Sequence, residues 1–167
     1  MNYPHIHLMI NHIPVLLPIF ALPVFLYGII KAKVPMVRLG LLAFVISGVA
    51  VWPVYYSGEE AEHVMEEIIP QEYDYIEAHE DDGKWARNVF TVLGLFSLGG
   101  LYWSCKKGPA PDSYLYTVAA IALVSIYFVA NAANSGGEIR HPEIRDGVQT
   151  STLVQQNDST ANEVEKK

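Results

Sequence analysis

Four apolar stretches, each about long enough to cross a bilayer, constrain this chain more than any other feature. They cover residues 13–30, 36–56, 88–105 and 114–134, and Arg38 is the one charged side chain within them. A membrane-spanning helix needs about 20 mostly apolar residues, because the hydrocarbon core is roughly 30 Å thick and a helix rises about 1.5 Å per residue. The expected fold is therefore all-α, a four-helix transmembrane bundle. With 167 residues, 51% of them hydrophobic, the chain is the size of one domain. Residues 1–146 are expected to form the membrane domain. Residues 147–167, rich in Ser, Thr, Asn, Gln and charge, are expected to be a disordered polar tail.

A net charge of −7 would suit a soluble acidic protein, but its distribution points to topology. Seventeen of the eighteen acidic residues fall between residues 57 and 87 or after Asn134, whereas Lys31, Lys33, Lys106 and Lys107 occupy the two short connections. Basic residues in short loops stay in the cytoplasm. The chain is thus expected in the inner (plasma) membrane, multi-pass, with both termini non-cytoplasmic. No basic segment precedes the first apolar run and no small-residue cleavage site follows it, so that run is not read as a signal peptide.

Between the second and third spans, Ala61, Val64, Met65, Ile68 and Ile69 recur at helical spacing against Glu59, Glu60, Glu62, Glu66 and Glu67. This spacing predicts a separate amphipathic helix outside the membrane, ended by Pro70. Pro14, Pro18 and Pro23 predict a bent first helix, which neighbouring helices can accommodate. Gly94, Ser97, Gly99 and Gly100, with alanines in the fourth span, supply faces for close helix approach.

Several functions are disfavoured by what the sequence lacks. The single cysteine, Cys105, supports neither a disulfide nor a zinc knuckle, and without CxxCH there is no covalent haem attachment. No phosphate-binding glycine loop, GxSxG elbow or HExxH motif occurs. The few basic residues are tied to topology, so no nucleic-acid partner is expected.

The six histidines, His5, His7, His12, His63, His79 and His141, all fall on the expected outer side. His5 and His12 share a helix face, while His7 lies roughly 140° round from His12, so one helix offers imidazoles to two neighbours. Glu60 and His63 have the i, i+3 spacing that presents a carboxylate and an imidazole together. His79 is followed by Glu80, Asp81 and Asp82.

The opening HLMINHIPV gives a His-x4-His-x-Pro pattern at His7, His12 and Pro14. His79 precedes the third span, and SGGEIRHPEI at 135–144 supplies Gly136, Gly137, Glu138, Arg140 and His141. In these motifs, over about residues 5–145, the chain resembles a family of predicted four-helix bacterial membrane proteins of unknown function. It departs in its longer acidic connection and in Ile13, where the family has Phe. The resemblance implies a membrane protein and suggests a redox or haem role.

Bis-histidine ligation of haem b requires two neutral imidazoles from different helices and basic groups for the propionates. Outer ends of antiparallel helices converge, so His7, His12, His79 and His141 form the expected cofactor-binding set. Arg140, Arg87 or Lys84 are expected at the propionates. The expected role is an electron-transfer or haem-b-binding subunit, a carrier rather than a stand-alone enzyme because no nucleophile with its base is found. Its expected partners are membrane lipid and a redox protein at the outer face. A non-haem site for zinc or iron at Glu60, His63, Glu77, His79 and Glu80 is the alternative, and a structural accessory subunit without cofactor is the third.

Overall fold

A computed structural model describes residues 2–145, and the expected tail at 147–167 lies outside them. Five α-helices follow in order: α1 (Tyr3–Ile10), α2 (His12–Ile30), α3 (Val34–Ile68), α4 (Tyr73–Lys106) and α5 (Asp112–Arg140). Helices α1 and α2 run on as one span, and four spans in all are long and apolar enough to cross a membrane. The interruption at Asn11 has a local cause. Pro14 has no N–H to give the carbonyl of Ile10 four residues back, so the helical ladder loses a bond there. Pro18 and Pro23 are carried inside α2, with Pro14 and Pro18 buried against neighbours.

The spans form an up-down-up-down bundle. Each packs on its neighbours in sequence, and α5 closes the ring against α2. The first and third spans therefore stand diagonally across the bundle axis. Phe25, Leu41, Phe44, Phe90, Leu93 and Val118 fill the interior. Phe20, Val49, Leu95, Leu98 and Leu123 point outward, an exposed apolar belt that water would not tolerate and lipid does. Close approach is set by glycine. A Cβ added to Gly48 would come within 2.8 Å of the Gly94 Cα, which holds α3 and α4 backbone to backbone.

The expected separate surface helix at 59–69 is not found. Those residues are helical, but they prolong the second span: α3 runs unbroken for 35 residues, and α4 runs for 34, starting well before its apolar stretch. At about 1.5 Å per residue each is roughly 50 Å long, well over the hydrocarbon thickness. The two therefore project as an antiparallel hairpin. Ala61 is buried and Val64 and Met65 are half-buried, while Ile68 is exposed. The amphipathic face packs on the facing helix near the span and runs out toward the tip.

Candidate functional site

All six histidines lie at the hairpin end of the bundle, opposite the short loops of Lys31, Lys33, Lys106 and Lys107. Only two of them meet. His7 of α1 and His79 of α4 bring their ring centroids to 6.3 Å with planes at 84°. Because their spans are diagonal, the pair crosses the bundle axis, and each ring is backed by a different third helix.

His7 is fixed by α3. Its Nδ1 lies 2.9 Å from the Val54 carbonyl oxygen and 3.4 Å from Ser57 Oγ. A carbonyl only accepts, so Nδ1 carries the proton and donates it, leaving the Nε2 lone pair free. His79 is fixed by α5. Its Nδ1 lies 3.3 Å from Ser135 Oγ, and that hydroxyl directs its own proton to the carbonyls of Asn131 and Ala132 at 3.2 and 3.3 Å. The hydroxyl thus has a lone pair for the His79 Nδ1–H, and the second Nε2 is also left free.

Two glycines make the rings fit. A Cβ on Gly58 would sit 3.0 Å from His7 Cε1, and one on Gly136 would sit 2.9 Å from His79 Cε1. Any larger residue would occupy the volume of the imidazole.

The remaining expected site residues are dispersed. His12 opens α2 exposed, and His141 is exposed with its Nδ1 2.9 Å from Glu143 Oε1. Arg140 and His141 line a cavity of about 330 Å³ at the hairpin tip with Ile69 and Gln71. Lys84 is taken by Glu80 and Asp81 at 2.9 and 3.0 Å, and Arg87 lies over the rings of Tyr55 and Trp52 at 4.3 and 5.5 Å. Glu60, His63 and Glu77 are exposed, and they are not drawn together with His79 and Glu80: among the described residues no group of three or more His, Cys, Asp or Glu is placed to hold a metal ion.

Sequence reasoning missed Ser57, Gly58 and Ser135 as parts of the site. A glycine inside a helical pattern is the readable signal for the second of these, since it costs about 1 kcal/mol against alanine and persists where something must come close. No protein-family model, no curated protein and no solved structure matches the chain, so the family resemblance rests on the motifs around residues 7–14, 79 and 135–144 alone.

Proposed function

We propose that the protein is a membrane-bound electron-transfer subunit in which His7 and His79 would hold a haem b near the non-cytoplasmic face. The observation that carries this reading is the diagonal pair with both Nδ1 atoms anchored and both Nε2 lone pairs free. The separation fits. The two ring centroids are 6.3 Å apart, and a metal–imidazole bond measures about 2.0–2.1 Å, so one ion between the rings could be reached by both imidazoles. Asn11, one turn from His7 on the same face, keeps its Oδ1 buried with no hydrogen-bond partner among the described residues, as a polar lining atom of a cofactor site would.

The count of ligands separates haem from zinc. A bis-imidazole haem takes two protein ligands, while a zinc site takes three or four. Two imidazoles without a third acidic or thiol group beside them, among the described residues, match the first. When bound, the haem would supply one-electron chemistry. The chain's part is to present two neutral imidazoles, hold their tautomers through Val54 and Ser135, and keep them beyond the water-filled surroundings. The basic loops support a cytoplasmic position for the opposite end, and on that reading this pair would face the outer side, where its electron partner would dock. A carrier role suits a site with ligands and no nucleophile.

The test is a reduced-minus-oxidised visible spectrum of detergent-purified protein, with haem and metals quantified on the same sample. The expected result is a sharp low-spin b-type spectrum at about one haem per chain. Stoichiometric zinc or non-haem iron on a colourless protein would replace this reading with the metal one. A protein free of both would leave the structural-subunit reading.

A further inference from the structure

Helix α4 meets the end of α5 at His79, whose Nδ1 lies 3.3 Å from Ser135 Oγ, and carries Tyr75 one turn earlier. Just past the last turn of α5, the short 3₁₀ turn Pro142–Ile144 folds the chain back over this seam and delivers Arg145 to it. One guanidinium then ties three pieces together. Its Nε donates to the Glu138 carbonyl of α5 at 2.8 Å, its NH2 donates to the Glu72 carboxylate just before α4, and its Cζ lies over the Tyr75 ring, 3.8 Å from the ring centre. Arg145 and Glu72 keep only 11% and 18% of their side-chain surface exposed, so the pair is shielded from water although it lies beyond the apolar stretches. Ile144 packs beside it, its Cδ1 3.3 Å from where a Cβ on Gly137 would stand.

The clasp sits one helical turn from the His79 ring along α4, and its α5 anchor, Glu138, is two residues past Gly136, against which that ring lies. We infer that Arg145 is a positioning residue for His79: by locking Glu72, Tyr75 and the Glu138 carbonyl together it closes the α4–α5 seam over the imidazole, fixes the ring against Ser135 and keeps water from it. This rests on reading the His7–His79 pair as the ligand site. Arginine is the side chain such a clasp needs, since its planar fork donates in two directions while its face stacks on tyrosine, and lysine can do only one of these at a time.

The test is the rate at which diethyl pyrocarbonate modifies each histidine of the detergent-purified full-length protein, followed peptide by peptide, with the exposed His12 and His63 as internal references. The expected result for Arg145→Ala is a rise of about fivefold or more in the His79 rate relative to His12, as local opening of the seam exposes the ring. Arg145→Lys is expected to fall between the two. Glu72→Gln, which keeps the volume and removes the charge, is expected to raise the ratio in the same direction and serves if the alanine variant fails to fold. A folded Arg145→Ala or Glu72→Gln protein with an unchanged His79-to-His12 ratio would overturn the inference. So would a rise shared equally by His7 and His79, which would mean general loosening of the bundle. If the ratio rises on a colourless protein, the clasp stands and the haem reading falls. If haem is present, the same variants are expected to shift its midpoint potential by altering water access, a second readout that stability alone would not move.

Discussion

Purified His7→Ala and His79→Ala variants are each expected to lose the low-spin haem spectrum entirely, while His12→Ala and His141→Ala retain it. The asymmetry comes from geometry. His7 and His79 face each other across the bundle axis and are each held by a neighbouring helix, whereas His12 is exposed at the start of α2 and His141 is engaged with Glu143 outside the bundle. If both imidazoles hold a haem, loss of either would weaken its hold on the iron, so each variant is expected to convert the spectrum to high-spin or to abolish it. Free imidazole added to His79→Ala is expected to restore part of the low-spin signal, because the alanine leaves room backed by Gly136. Retention of full low-spin absorption in either His7→Ala or His79→Ala would transfer the ligand role to another histidine.

A second large effect is expected from one added side chain. Gly136→Val should displace the His79 ring and remove cofactor binding, while Gly137→Ala, its immediate neighbour in sequence, should be tolerated. Both positions lie within α5 and would gain about 1 kcal/mol or less of helix propensity on replacement by alanine. At Gly136 that gain is outweighed. A Cβ there meets three atoms of the His79 ring at 2.9, 3.2 and 3.4 Å, and the ring cannot withdraw without giving up Ser135. Overpacking of this kind costs about 1–3 kcal/mol, and the γ-methyls of valine add to it. At Gly137 the Cβ meets only the flexible end of Ile144 at 3.3 Å, which can shift by a few tenths of an ångström. Thermal unfolding in detergent and haem content, measured together, separate the two outcomes. Equal haem content in both variants would show that Gly136 does not determine the fit.

The spans were legible because their signal is length: a run of some twenty apolar residues has few other solutions than a membrane helix. The gathering of six histidines at one end followed from the Lys loops and an even number of spans. The extent of the second and third helices was not legible. Ser57 and Gly58 interrupt the apolar run and look like a helix stop, yet the helix continues through them, with Gly58 against the ring of His7 and Ser57 beside its Nδ1. The partner of His7 was hidden for a related reason. Spacing fixes the angle between His7 and His12 on an ideal helix, but Pro14 and the break at Asn11 uncouple the two, and only packing decides which faces inward. Arg145 and Glu72 stand 73 residues apart with no periodic pattern between them, so their clasp has no sequence signature.

The spin state of the iron gives the most direct test of the central claim. If a haem were held by His7 and His79, whose rings face each other at 6.3 Å, its oxidised iron would be low-spin and would give a low-spin electron paramagnetic resonance signal. Low-temperature spectroscopy of the oxidised, detergent-purified protein is expected to show that signal, lost in both His7→Ala and His79→Ala. A high-spin haem signal in the wild-type protein, or no haem iron at all, would contradict bis-imidazole ligation by His7 and His79.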